Sequence, residues 1–449
     1  MKKFIQKIKE IWSIEELRKR ILLTLGLILV YRFGSFVVLP GIDASQLDQL
    51  TKQGSGGLFG LINIFAGGAF SRASVLALGV MPYISASIAI QLLTLAVPYF
   101  QKMQKEGESG RRKINQYTRY LTVIITAAQA SGYVVNLKAI AGEAIIIDQG
   151  LFWLSSIVIL TAGTMLSMWI GERITDKGVG NGISFIIMVG IMAGFPQALN
   201  AEIQTRLGGG GGLVPFVVEI MVMVVIVMGV IMLVQGTRRI PVQYAKRVVT
   251  KGGKMMQMGG VRQYVPLKIN QAGVMPIIFA QAIMFIPATL ATFFGVDQSA
   301  GFWRSMNDFT SIPYNIFYAV LIMAFTYFYT ALVINPIQMA DDLKRNGGFI
   351  PGVKPGRSTA EFIDTIMSRI TLPGSFFLAM VAVMPAFAQL LNVNNLFAVF
   401  FGGSSLLIMV GVILDTLQMI ESYLLMRHYD GLTKTGRIKG RSATSVAGY

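Results

Sequence analysis

Residues 58–100 read LFGLINIFAGGAFSRASVLALGVMPYISASIAIQLLTLAVPYF, 43 positions with a single charge, Arg72. One apolar crossing of a bilayer needs about 20 residues and two need about 40. The piece ahead of the Gly67-Gly68 break, residues 58–66, is far too short to span. It reads as a helix that enters a membrane without crossing it. Backbone at that depth survives only where protein shields it or where it lines a wet cavity, so the stretch predicts an enclosed pathway.

The rest of the chain agrees. Its 449 residues are 53% hydrophobic and only 14% charged, and the apolar residues come in blocks rather than short stripes. Runs of adequate length occupy residues 21–39, 73–97, 120–137, 151–170, 183–199, 213–234, 271–294, 312–334, 370–391 and 396–419. The expected fold is an all-α polytopic membrane protein of ten spans plus a re-entrant helix. An even count puts both termini on one side.

Charge says which side. Of the 39 Lys and Arg, seven fall in residues 1–20, five between spans two and three, two between four and five, eight between six and seven, five between eight and nine, and five after span ten. These 32 share one face. The opposite loops hold Lys52, Arg72, Lys138, Arg206 and Arg304, while Arg32 and Arg119 lie within or at the end of a span. Cationic loops stay cytoplasmic, so both termini are expected inside the cell. Topology explains most of the net charge of +17, and the remaining basic face suits anionic lipid, an acidic protein or an RNA-rich particle.

The absence of cysteine excludes disulfides and thiolate chemistry. Residues 1–20 form a polar, amphipathic leader with no small-residue cleavage site, which argues for a retained first span. The pentaglycine at 208–212 divides two sets of five spans, residues 21–207 and 213–426, ahead of a basic tail at 427–449. Five glycines cannot hold one conformation cheaply. They serve either as a tolerated surface loop or as a hinge between halves packed face to face, pseudo-symmetric by span count alone.

Catalysis is easier to exclude than to assign. The single histidine, His428, follows the last span, so neither a zinc helix nor a Ser-His-Asp set is available in the bilayer. Lys251-Gly252-Gly253-Lys254 lacks the spacing and the hydroxyl of a phosphate-binding loop. No enzyme activity, cofactor or metal is expected. Within the spans only Arg32, Glu219 and Asp415 are ionisable besides the marginal Arg119; each lies toward a span end and is either structurally satisfied or part of a relay. What lines the spans is aliphatic. Val80 and Ile84 share a helical face, and Ile187, Ile278 and Ile408 lie on spans five, seven and ten. They are ordinary core residues or an apolar constriction of the kind that gates by dewetting.

The stretch Asn63-Ile-Phe-Ala-Gly-Gly-Ala-Phe-Ser-Arg-Ala-Ser74, continued by Ala77-Leu-Gly-Val-Met-Pro-Tyr-Ile-Ser-Ala-Ser87, closely resembles the plug and second-span signature of the SecY family of protein-conducting channels. Gly178-Val-Gly-Asn-Gly-Ile-Ser184, Pro266-Leu-Lys-Ile-Asn-Gln-Ala-Gly-Val-Met-Pro276, Gly347-Gly-Phe-Ile-Pro-Gly-Val-Lys-Pro-Gly356 and Phe401-Gly-Gly-Ser-Ser-Leu-Leu-Ile408 follow in the family's order. The resemblance covers essentially the whole chain.

The resemblance implies roles position by position. Residues 58–72 contain the plug, with Leu58, Phe59, Ile62, Asn63, Phe65, Gly67, Gly68 and Arg72 as its residues. Val80, Ile84, Ile187, Ile278 and Ile408 match the pore ring, with Ala282 adjacent; Val80 stands where isoleucine is more usual. Spans two, three, seven and eight correspond to the lateral gate, with Ser85 facing Ile286 and a polar cluster of Gln91, Gln129 and Asn270. The alternative for these amides is ordinary interhelical hydrogen bonding, about 1 kcal/mol each.

The same resemblance makes the basic loops at 236–270 and 338–369 docking sites for the SecA ATPase and the ribosome, both its RNA and its protein. Arg238, Arg239, Lys246, Arg247, Lys251, Lys254, Lys354 and Arg357 are the expected contacts. Lys354 replaces the more usual arginine, keeping the charge and losing the planar fork. Implied partners are the small subunits SecE and SecG, signal peptides and nascent chains, and membrane lipids, in a bacterial cytoplasmic membrane. The expected function is passage of unfolded polypeptides across the membrane and lateral release of transmembrane segments into it. The alternative is a secondary transporter of a small solute, which predicts a polar midplane site instead.

Overall fold

The computed structural model describes residues 9, 11–43, 63–141, 144–208, 212–244, 247–251, 254–258, 262–293, 301, 305–306, 308 and 310–434. Each of the ten predicted runs overlaps a long helix, the tenth, 396–419, only from Gly403 on. These helices are α1 (Glu15–Gly34), α2 (Met81–Ala96), α4 (Glu108–Ala141), α5 (Gln149–Lys177), α6 (Gly182–Leu207), α7 (Leu213–Gln235), α8 (Met275–Phe293), α9 (Ile312–Val333), α11 (Arg357–Leu390) and α13 (Gly403–Lys434). Between them lie the short helices α3 (Pro98–Lys105), α10 (Pro336–Arg345) and α12 (Asn395–Ala398). Seven of the long helices meet the length and hydropathy of a crossing on their own, and α2 does so together with α3. The chain is a multi-pass membrane protein.

Three differences from the sequence reading have physical causes. The second span starts at Met81 rather than at residue 73, because residues 73–80 form turns, with Ala73 at φ 46° and Gly79 at φ 53°. Their backbone is tied to the chain after α1 instead: Leu39 N donates to Ala73 O at 2.8 Å and Val75 N to Val37 O at 2.8 Å. The span ends at Val97, whose extended φ of −107° and ψ of 119° is what a following proline imposes. Arg206, expected in a loop, lies in the last turn of α6.

The third difference is the loop between spans six and seven, which folds as strands. The strands β1 (Thr237–Tyr244) and β4 (Arg262–Lys268) pair antiparallel from Thr237↔Lys268 to Gln243↔Arg262, and β2 (Arg247–Lys251) pairs with β3 (Lys254–Met258). The two-residue strand β5 (Gly348–Phe349) pairs with the far end of β1, Gln243↔Phe349 and Tyr244↔Gly348. Beneath the sheet, Ile240, Val242, Leu267, Ile334, Ile350, Ile363 and Met367 form their own buried cluster. The two basic loops are therefore one body.

Inside the bundle, polar side chains are returned to their own helices. Thr118, Thr122 and Thr126 each donate to the carbonyl four residues back, at 3.0, 2.7 and 2.6 Å, which satisfies hydroxyls in a medium without water. The helices before and after the glycine run meet along two seams. On one, α6 packs against α7, α12 and α13; on the other, α8 packs against α2 and α4.

Candidate functional site

The five aliphatic residues singled out from the sequence are all buried. Val80, Ile84, Ile187, Ile278 and Ile408 come from four segments of the chain, at α2, α6, α8 and α13, and all are at most 6% exposed within the apolar core of the bundle. Ala282 lies in the same cluster. Val80 sits at the N-terminal boundary of α2 and Ile84 one turn in.

The segment before α2 closes on this cluster. Phe65 and Phe70 belong to it, and residues 63–65 are helical before the chain turns through Gly67 (φ 64°) and Gly68 (φ 83°), a conformation that glycine adopts without strain. Asn63 Oδ1 accepts from Ser71 N at 3.0 Å and Ser71 Oγ at 2.7 Å, stapling the turn. Two guanidiniums then hold it, Arg32 from α1 and Arg72 from within the segment itself. Arg32 Nη1 and Arg72 Nη2 donate to Gly67 O at 2.8 and 2.7 Å, and Arg72 Nε donates to Gly68 O at 2.9 Å. Both cations face the Phe36 ring, 5.3 and 4.2 Å from its centre. Tyr133 Oη on α4 adds a bond to Phe70 O at 2.8 Å. Behind the turn, Gly190 on α6 gives the backbone room: a Cβ there falls 2.2 Å from Phe65 O. Leu58, Phe59 and Ile62 lie outside the described residues.

Of the gate residues, Ser85 Oγ donates to Met81 O at 3.2 Å, Gln91 Nε2 to Ser87 Oγ at 3.2 Å, and Asn270 Nδ2 to Gly273 O at 3.0 Å. The buried amide oxygens of Gln91, Gln129 and Asn270 have no hydrogen-bond partner among the described residues. The side chain of Ile286 is outside what the structure describes. Asn270 also borders a cavity of about 270 Å³ between α6, α7, α8, α9 and α13, with Asn181, Lys268 and Asp415 on its wall.

Among the docking residues, Arg238 and Arg239 on β1, Lys354 and Arg357 are exposed. Arg357 Nε reaches Glu361 Oε1 at 3.2 Å, and Lys354 O accepts from Thr359 Oγ1 at 2.9 Å. Arg247, Lys251 and Lys254 lie on β2 and β3, and Lys246 is outside the described residues. Sequence reasoning missed the burial of Arg206 with Glu202 and Glu219, although the four-residue spacing of Glu202 and Arg206 was a visible pairing signal.

Seven helices long and apolar enough to cross a membrane among the described residues, or eight with α2 and α3 taken together, pack around a buried apolar core, and solved membrane channels share the fold. The structure superposes on that of a protein conducting channel with a TM-score of 0.62 at 15% identity, covering 94% of this chain and 95% of that one. It superposes on Sec61 in the canine ribosome-channel complex from the endoplasmic reticulum with a TM-score of 0.58 at 15% identity, with the same coverage. The family model SecY matches residues 74–417. Protein translocase subunit SecY of Streptomyces coelicolor is 43% identical over 433 residues, 93% of this chain and 97% of that protein. The subunit of the same name in Vibrio cholerae is 43% identical over 436 residues, 95% and 96% of the two chains. This chain belongs to the SecY family. It is a channel subunit for protein transport, neither an enzyme nor a carrier of small solutes.

Proposed function

We propose that the aliphatic cluster is a compliant seal around a translocating polypeptide, that residues 58–72 are its plug, and that the seam of α2 and α4 with α8, extended by α9, is the lateral gate. The observation that carries the reading is the burial of Val80, Ile84, Ile187, Ile278 and Ile408 in the apolar core of the bundle that also holds Phe65 and Phe70. A secreted chain has arbitrary sequence, so its conduit cannot specify side chains, yet it must hold back ions when idle. A narrow aliphatic ring meets both demands and a charged lining fails the first.

The gate reading draws on the amide oxygens at the seam. An unpaired buried oxygen costs about 1–3 kcal/mol, and parting of the helices lets water or a signal helix relieve that cost. Movement of residues 21–207 against 213–426 about the glycines at 208–212 is the proposed opening motion. Binding at the basic body of β1, β4 and β5 together with insertion of a signal helix biases it toward the open state.

The exposed Arg238, Arg239, Lys354 and Arg357 suit an acidic motor surface or ribosomal RNA, the partners proposed being SecA and the ribosome. SecE and SecG are the proposed small subunits. The charge asymmetry supports cytoplasmic termini, and the bacterial relatives support the cytoplasmic membrane of a bacterium. Reconstitution tests the whole reading: vesicles holding this chain, SecE and SecG should import an unfolded preprotein when SecA and ATP are supplied. Import of a small solute down a gradient, with no preprotein import, would reject it.

A further inference from the structure

Two carboxylates and one guanidinium are buried together beside the glycine run, at the end of the bundle opposite the β-sheet. Glu202 is 0% exposed, Arg206 7% and Glu219 8%. Arg206 Nε donates to Glu202 Oε1 at 2.9 Å, and its Nη2 donates both to Glu219 Oε1 and, at 3.1 Å, to Asn392 O. Glu202 Oε2 in turn accepts from Asn394 N at 2.8 Å, and Thr205 Oγ1 accepts from Asn394 Nδ2 at 3.2 Å. Asn392 holds a φ of 58°, which aims its carbonyl from the turn between α11 and α12.

The placement of these groups matters more than their number. Glu202 and Arg206 end α6, the last helix before residues 208–212, and Glu219 lies near the start of α7, the first helix after them. Asn392 and Asn394 also belong to the second set of spans. A run of glycines joins α6 to α7 without imposing an angle, so noncovalent contacts have to impose it. A guanidinium is suited to this, because its donors point in fixed directions within one plane and charge-assisted bonds weaken steeply when bent. Rotating α7 about the glycines turns Glu219 away from that plane while Glu202 stays with Arg206.

We propose that Glu202, Arg206 and Glu219 are the pin of the hinge: positioning residues that set the closed angle between residues 21–207 and 213–426. The inference rests on the hinge reading above and names the groups that bias it. Because two carboxylates share one cation, removing Glu219 leaves a matched Glu202–Arg206 pair on α6, so the variant tests the angle rather than an orphaned charge.

The chain has no cysteine, so Lys102→Cys on α3 and Lys344→Cys on α10 provide a unique pair of spin-label sites, both exposed and on opposite sides of the glycine run. Distance distributions are measured in the assembled translocon in lipid nanodiscs, with and without a synthetic signal peptide. The native protein shifts on adding peptide. Glu219→Ala raises the shifted fraction without peptide about tenfold, Arg206→Lys moves the same way, and the exchanged pair R206E/E219R returns toward native. Native distributions in both Glu219→Ala and Arg206→Lys, even with a lowered melting temperature, overturn the pin and leave a structural staple. Should Glu219→Ala fail to assemble, Arg206→Lys decides alone, since it keeps the charge and loses the fork. A native pair that ignores the peptide refutes the hinge itself; a responsive native pair with variants whose peptide-free distributions stay native refutes only the pin.

Discussion

Replacing Gly190 with alanine should unseat the plug and make the resting channel leak. A Cβ on Gly190 falls 2.2 Å from Phe65 O, 3.1 Å from Phe65 C and 3.2 Å from Gly67 N. Carbon–oxygen contacts settle at about 3.3 Å or more, so the turn has to retreat by about 1 Å. The bond from Arg32 on α1 to Gly67 O, now 2.8 Å, then passes beyond useful hydrogen-bond length, whereas Arg72 moves with the turn it belongs to. A bond to a charged donor is worth about 1.5–3 kcal/mol. The Arg32 guanidinium is only half-buried, so about 1.5 kcal/mol is the sounder figure. That corresponds to roughly a tenfold rise in the ratio of unsealed to sealed channels. The assay is potassium efflux from proteoliposomes, with single-channel recording beside it. Gly194→Ala is the control, because its Cβ meets only Phe400 Cζ at an ordinary 3.7 Å on the same helix. Equal leak from the two variants would refute the reasoning, since alanine strengthens the helix at both sites.

Four further outcomes follow from the geometry. Glycine in place of Ile84, Ile187, Ile278 and Ile408 removes the buried side chains of the cluster and should raise resting ion conductance; unchanged conductance removes them as the seal. Tyr133→Phe loses one bond to Phe70 O, about 1 kcal/mol, and should raise efflux several-fold, less than Gly190→Ala does. Gln129→Leu replaces an orphaned buried oxygen by an apolar group, so the closed gate gains about 1–3 kcal/mol. Slower preprotein import with normal SecA binding is the expected reading of that variant. Arg238→Ala with Arg239→Ala should weaken ribosome binding and flatten its salt dependence in co-sedimentation, because exposed cations act through screened charge.

Hydropathy located the crossings because it reports what lipid requires. It was blind to what lipid does not constrain. The run at 120–137 is the membrane-level part of α4, whose charged beginning extends back to Glu108, and the run at 370–391 is the later part of α11, which begins at Arg357. Residues 73–80 look apolar enough to be helix, yet they turn on themselves while Ala73 O and Val75 N bond to residues 39 and 37, a nonlocal choice that no local pattern announces. The ribbon was hidden for the same reason, since its long pairing of β1 with β4 joins residues far apart in sequence. The aliphatic positions were legible only through the family resemblance, because a buried isoleucine at a seal and one in an ordinary core look alike. Arg206 was counted among exterior cations since nothing in its neighbourhood says that Glu219 will reach it from beyond five glycines.

The helix α11 has a consequence of its own. Its 34 residues make a helix about 51 Å long, well over the roughly 30 Å of hydrocarbon, so about two-fifths of it projects beyond the lipid. The projecting end begins just past Lys354 and contributes Ile363 and Met367 to the platform under β1; the opposite end runs into the turn that presents Asn392 to Arg206. Pressure on that platform is therefore applied to one continuous helix whose other end meets Arg206, with Pro373 and Pro385 as the two joints along it where the ladder lacks a bond. A load on one side of the membrane reaches the far side as the flexing of a jointed lever.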